Sequence, residues 1–312
     1  MRETVGIITG VDHEMYRIRE GLKRLAGRDI AGRDFTIYPD DTFIVSYPRS
    51  GNTWTRFLLA NLLHPQKEVT FASIEEQVPD AEAQSRVHLR RIPRPRYIKT
   101  HQYFHPRYKK VVYIVRDPRD VALSFYDFQR KYRHIEDAYP LTSFVSDFVA
   151  GRMISASWGT WRENVGSWLY TRGGTSGFLL LRYEDMLSDT LYQTSRLAEF
   201  LELKLTTDLL EQAIERSSSD QMRKLEKRQG NDWVSTKGKR SDIPFVRSAT
   251  SGGWKNKLPE SSAAEIEAAW GSMMRTLGYE LVFGQDPAAA AASRSVVDTR
   301  NSVSSSLTPE QH

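Results

Sequence analysis

Arg49, Ser50, Gly51, Asn52 and Thr53 sit between a short apolar run that starts at Thr42 and an apolar-periodic stretch from Trp54 to Leu63. That order is a strand feeding a helix through a tight polar turn. Such a junction points backbone N–H groups and the positive end of a helix dipole at one spot, which suits a phosphate. Arg49 adds a permanent charge, and Ser50, Asn52 and Thr53 add polar side chains. The loop is not the common nucleoside-triphosphate loop, because G-x-x-x-x-G-K-[ST] is absent. A second segment repeats the design. Val111 to Val115 is a β-branched apolar run with Arg116 at its carboxyl end. Asp117 is placed to cap a helix, Pro118 to occupy its first position, and Ser124 follows about two turns on. Two strand ends, each with an Arg and hydroxyls, suit a ligand with phosphates at two places. Between them, Lys99, Thr100 and His101 end a third short run. An imidazole with an unperturbed pKa near ~6.5 suits proton abstraction at neutral pH. His101 is the candidate general base, and His105 is its rival four positions on.

The elements that position these residues follow from periodicity. Strands are expected at about 42 to 47, at Tyr97 to Thr100, at Lys110 to Val115 and at Gly177 to Arg182. Their continuous apolar character marks buried parallel strands. Helices are expected at Met15 to Leu25, from 52 to 63, and from Pro118 to about Tyr132. Further helices are expected at Leu187 to Leu201, at Thr206 to Glu215 and at Ser262 to Leu277, with Gly278 as the stop. Residues 65 to 96 show no clean periodicity and read as a loop-rich insertion. Residues 217 to 253 read as a polar, mobile cover. Phe144, Phe148, Trp158, Trp161 and Trp168 are expected in the core, with Tyr132, Tyr139 and Phe104 as candidates for an acceptor pocket. The fold class is α/β, with a central parallel sheet flanked by helices in one domain. A peripheral segment at 1–35, a domain at 36–284 and a disordered tail at 285–312 complete the expected organisation.

Tyr47-Pro48-Arg49-Ser50-Gly51-Asn52-Thr53-Trp54 and Tyr113 through Arg116 to Ser124 resemble the two cofactor signatures of sulfotransferases that use 3′-phosphoadenosine 5′-phosphosulfate, PAPS. Lys99-Thr100-His101, Leu181 through Tyr183 to Met186, and Gly252-Gly253-Trp254-Lys255-Asn256 are similar in the same order, over about residues 40 to 283. The resemblance implies a P-loop-like fold and the cytosolic branch that sulfates small molecules, releasing 3′-phosphoadenosine 5′-phosphate (PAP). It places the 5′-phosphosulfate at Arg49 to Trp54, the 3′-phosphate at Arg116 and Ser124, adenine against Trp54, and further cofactor contacts at Tyr183 and Arg247. It makes His101 the catalytic base and Lys99 a group polarising the sulfuryl oxygens or the leaving phosphate. Some positions depart from the pattern. Arg49 stands where the family usually has Lys, and Ser219 where a second aromatic stacks. Ser248-Ala249 replaces Lys-Gly after Arg247, and Asn256 to Glu260 does not match the family's dimer motif, so the oligomeric state stays open.

Composition fits. The net charge of +5 is expected to serve a polyanionic cofactor, since no basic helix with interleaved aromatics or RNA-binding signature points to nucleic acid. With no Cys, thiolate chemistry is excluded, and no ligand cluster suggests a metal. No apolar run approaches the ~20 residues that span a bilayer, so a cytoplasmic protein is expected, and the resemblance implies a small-molecule acceptor. An inactive adenosine-bisphosphate-binding module and, further off, a P-loop phosphotransferase are the alternatives.

Overall fold

A computed structural model of the chain describes residues 22–283, apart from Leu25, Ile154, Ala156, Gly230, Arg247 and Ser248. Most of the expected first helix, the tail at 285–312 and the Arg247 position therefore lie outside the described residues. Four strands, β1 (Thr42–Ser46), β2 (Tyr97–Thr100), β3 (Lys110–Val115) and β4 (Phe178–Arg182), fall where the apolar runs predict them. All pair in parallel, in the order β2-β1-β3-β4. The chain leaves β1 to one side for β2, then crosses over to β3. Such a reversal opens a crevice beyond the carboxyl ends of the strands, where α/β sheets bind ligands.

The strands are apolar throughout because both faces are covered. Successive side chains point to opposite faces. Phe43, Val45, Val111, Tyr113 and Val115 join one core, and Ile44, Val112, Ile114, Leu179 and Leu181 join the other. Helices Pro118–Lys131, Leu141–Val149, Trp161–Arg172 and Glu260–Thr276 pack on the first face. Helices Asn52–Leu63, Thr190–Phe200 and Thr207–Arg216 pack on the second. Phe144, Phe148, Trp161 and Trp168 are fully buried, as expected of core aromatics. Phe148 meets Trp270 edge-on at 5.2 Å, which binds the last helix to the middle of the fold. Each such ring contributes about 1.5–3 kcal/mol through burial alone.

Three local features differ from the sequence reading. The stretch expected as one helix from Leu187 is two, Tyr183–Ser188 and Thr190–Phe200, because Asp189 leaves helical geometry and its side chain caps Tyr192 N. The segment 65–96 contains two short helices, Ile74–Gln77 and Arg86–Arg91. Between them the chain runs along the outer edge of β2, with Lys99 N donating to Pro79 O at 2.8 Å and Ala81 N to Lys99 O at 3.0 Å. Within the expected cover, Ser219–Gln229 is helical, and Trp233 is buried in the second core.

Candidate active site

The first polar turn is built as a cradle. Arg49 and Gly51 adopt positive φ values of 69° and 100°. A Cβ on residue 51 would lie 2.5 Å from Tyr183 Cδ2, so only glycine lets the loop pass under that ring. Helix Asn52–Leu63 begins here with no side-chain cap and no acidic residue in its first turn. Its leading N–H groups therefore keep their donor capacity and their share of the helix dipole for a ligand. Asn52 Nδ2 anchors the turn by donating to Ile44 O at 3.2 Å and Ser46 Oγ at 3.1 Å. Ser50 is fully buried, and its Oγ is without a hydrogen-bond partner among the described residues.

Helix Pro118–Lys131 brings the second set. Asp117 caps it through Arg119 N, and Pro118 occupies the first turn, as its sequence predicts. Asp117 also pairs with Arg119 at 2.7 Å, which leaves Arg116 to the cavity rather than to a local ion pair. The Arg116 guanidinium lies 4.3 Å from the Tyr183 ring centroid. It donates to Arg49 O at 3.3 Å and Thr250 O at 3.0 Å, while its buried Nε has no partner among the described residues. Ser124 Oγ accepts from Arg49 Nε at 3.1 Å, so the two proposed phosphate ends share a wall. Trp54 meets Tyr183 edge-on at 5.7 Å beside them. Asp120, on the same helix, accepts from Gly252 N at 2.7 Å and Trp254 N at 2.9 Å, which docks the Gly252-Gly253-Trp254 segment over this end.

His101 stands at the carboxyl end of β2. Its Nδ1 lies 2.8 Å from Ser46 O. A carbonyl only accepts, so Nδ1 carries the proton and Nε2 keeps its lone pair. Burial first, and Lys99 second, push the imidazole down to about 3, so the ring is neutral across the physiological range. Asn164 Nδ2 donates to His101 O at 2.9 Å, and Tyr113 OH donates to Asn164 Oδ1 at 2.7 Å. His105 stacks on Tyr108 at 4.6 Å and does not line the cavity.

Lys99 is buried between two carboxylates, Asp80 and Glu82, each 2.9 Å from its Nζ. Burial opposes its charge, but the two carboxylates outweigh that and hold it above the ordinary lysine range. Sequence reasoning missed both acids. No periodic signal marks them, because Asp80 opens a turn, with Ala83 N and Gln84 N on Asp80 O, and Glu82 sits in that turn.

These groups surround a cavity of about 710 Å³. Arg49, Gly51, Asn52, Thr53, Trp54, Lys99, His101, Arg116, Ser124 and Tyr183 all line it, and Ser50 does not. Tyr132 lines it as expected, whereas Phe104 packs edge-on to Trp168 at 5.5 Å and Tyr139 lies in a separate outer groove. Trp158, expected in the core, instead lines the cavity and meets His101 edge-on at 5.7 Å. It precedes the capping box at Thr160 and so falls on the turn, outside the buried face of the helix. Phe128 and Phe245 were also missed; they flank Arg49 at 5.1 and 4.7 Å. Phe128 lies four residues after Ser124, on the same helix face. Ser218 and Ser219 line the cavity where a second stacking aromatic was sought. Among the described residues no group of three His, Cys, Asp or Glu side chains could hold a metal ion, and no helix is long and apolar enough to cross a membrane.

Residues 39–278 match the family model described as the sulfotransferase domain. The chain belongs to the sulfotransferase family, as its five motifs imply. It is 24% identical over 263 residues to an amine sulfotransferase of Oryctolagus cuniculus, covering 80% of this chain and 86% of that one. It is 26% identical over 257 residues to sulfotransferase 1A1 of Mus musculus, covering 78% of this chain and 87% of that one. Among solved structures it is similar to mouse sulfotransferase SULT7A1 complexed with PAP, at TM-score 0.62 and 23% identity over 77% of this chain and 86% of that chain.

Proposed function

We propose that this enzyme moves a sulfuryl group from PAPS to a hydroxyl or amine of a small-molecule acceptor, with His101 as general base. The observation that carries the reading is the His101 tautomer: Nδ1–H is spent on Ser46 O, Nε2 keeps its lone pair, and the residue lines a cavity whose other end offers Arg49, Arg116 and an uncapped helix start. The fit to the donor rests on the uncapped helix start, the glycine cradle under Tyr183 and the partnerless Arg116 Nε. When bound, PAPS supplies an electrophilic sulfuryl on a phosphate leaving group.

The chain's own residues take the remaining tasks. The first-turn N–H groups of helix Asn52–Leu63, with Asn52 and Thr53, hold the 5′ end, while Ser50, expected there from the sequence, is buried behind the turn and off the cavity wall. Arg49 binds the leaving phosphate as a fixed charge and does not protonate it, because its pKa exceeds ~12. Arg116 and Ser124 hold the 3′-phosphate, with Arg247 as a further contact. Trp54 offers its face to the adenine, with Tyr183 beside it as a further cofactor contact. Tyr132, Trp158 and Phe128 give the acceptor an aromatic wall, and His101 Nε2 takes its proton as the new bond forms. With charge handled by arginines and a helix terminus, the reaction needs no metal.

Purified protein, PAPS and a panel of phenols, steroids and amines test this directly, scored by a mass gain of one SO₃. Turnover is expected in excess chelator. His101→Ala is expected to lower the rate by about 10²–10⁴ while PAP still binds. A His101→Ala rate equal to wild type removes the base assignment. Activity lost to chelator and restored by magnesium points to a phosphoryl-transfer site. Tight PAP binding without turnover of any acceptor class favours the inactive module.

A further inference from the structure

The edge segment beyond β2 carries Asp80, which bridges Lys99, and Glu82, which lies in the turn that follows. Asp80 Oδ1 accepts from Glu82 N at 2.9 Å and Asp80 Oδ2 from Lys99 Nζ at 2.9 Å, which fixes where Glu82 stands. Glu82 then reaches four consecutive residues of the base loop. Its Oε2 accepts from Lys99 Nζ at 2.9 Å. Its Oε1 accepts from Thr100 Oγ1 at 2.9 Å, from His101 N at 2.7 Å and from Gln102 Nε2 at 3.3 Å. The hydrogen bonds of an ionised carboxylate are short and strong, and here they converge on the turn that aims the imidazole.

Resting on the reading of His101 as the base, we infer that Glu82 is its positioning residue. By holding Lys99 through Gln102 as one unit, it keeps His101 Nδ1–H on Ser46 O and leaves Nε2 its lone pair. It also has a consequence for Lys99. That ammonium is engaged by Asp80 and Glu82, so it also ties the edge segment to β2.

Glu82→Gln tests this with little change of volume. A glutamine has one acceptor oxygen and an NH₂ that only donates, so it cannot serve Lys99 and the three other donors together. In the full chain, Glu82→Gln is expected to lower kcat by about 10- to 100-fold, the scale of a small misplacement of a reacting group. Acceptor KM and PAP affinity should stay near wild type. ¹⁵N NMR of the imidazole should show a single Nδ1–H tautomer in the wild type and a mixture in Glu82→Gln. Glu82→Asp, which keeps the charge, should recover part of kcat and of the single tautomer, and it serves as the folded comparison if Glu82→Gln does not fold. Wild-type kcat with an unchanged tautomer in Glu82→Gln overturns the inference. So does a parallel loss of kcat, KM and PAP affinity, which marks a merely structural carboxylate. His101→Ala separates the two levels. If it keeps full turnover, the base reading itself falls; if it is inactive while Glu82→Gln is not, only the role of Glu82 falls.

Discussion

Arg49 and Arg116 show how two identical side chains come to different work. Arg49 is flanked by Phe128 and Phe245 and bonded to Ser124, whereas Arg116 lies over Tyr183 with its Nε partnerless among the described residues. Arg116→Ala should therefore weaken PAP binding by about 1.5–3 kcal/mol, the worth of a charge-assisted hydrogen bond. That is roughly 10- to 150-fold in Kd by calorimetry. Unchanged affinity would misplace the 3′-phosphate. His101 supplies a pH prediction. Its pKa is near ~6.5 in an unfolded chain and about 3 here. The unfolded state thus binds more protons in that interval, and stability rises with pH through it. Stability should fall as the pH drops below about 6.5, and His101→Ala should flatten that slope. Urea midpoints between pH 5 and 7 read this as the difference between the two proteins. His64 and His105 are also lowered by burial and add to both slopes, while carboxylates such as Glu75, held at about 2, add their own loss at lower pH. An equal slope in both proteins would contradict the burial of a neutral imidazole. Much of the candidate site was legible at this scale, in that Arg49, His101, Arg116 and Ser124, picked out by their places after apolar runs, all line one cavity. Asp80 and Glu82 were not. Their partners lie 17 to 20 residues away, and nothing local announces the contact.

Elements were legible where local physics and tertiary packing agreed. The four strands are apolar on both faces because helices cover both, so their runs stand out. The helix at Pro118 carries its own start signal in Asp117. The break at Asp189 was hidden, because the apolar periodicity continues across it while the backbone does not. Trp158 was misread for a related reason: aromatic spacing cannot tell a helix face from the turn before it. The cradle element makes a sharper claim. With φ 100° at Gly51 and Tyr183 Cδ2 2.5 Å from a would-be Cβ, Gly51→Ala meets both backbone strain and a clash. The left-handed backbone alone costs about 1–2 kcal/mol. Relieving the clash must move either the turn or Tyr183, so PAP affinity should fall together with the melting temperature. A Gly51→Ala protein that is less stable yet binds PAP as wild type would show that the turn is not the cradle.

At the scale of the whole molecule, one buried carboxylate joins three regions that surround the cavity. Glu75 receives Arg56 Nη2 at 2.9 Å from the cradle helix, Asp80 N at 3.0 Å from the edge segment, and Trp233 Nε1 at 3.0 Å from the cover. Trp233 also stacks on Phe71 at 4.7 Å and meets Phe245 edge-on at 5.0 Å. Elsewhere the cover is held by Glu226, which accepts from Phe245 N and Val246 N, and by Lys131, which donates to Arg240 O and Ile243 O. The sequence reading of a polar cover overlooked this, because a single Trp in a polar stretch carries no periodicity. Trp233→Ala removes the ring from the second core, a change that costs about 3–5 kcal/mol in a typical interior. Trp233→Phe keeps most of the ring and removes only the donor to Glu75, at about 1–3 kcal/mol. Because the sheet's own ladders and its first core do not include Trp233, the loss should appear locally. Hydrogen exchange should speed up across residues 219–246 while β1 and β3 keep their protection. PAP should restore part of it, since a ligand at 100 times its Kd adds about 2.7 kcal/mol to the state that binds it. If exchange rises equally in the strands, Trp233 belongs to the global core rather than to a cover. If PAP restores nothing, the cover does not close over the donor end of the cavity.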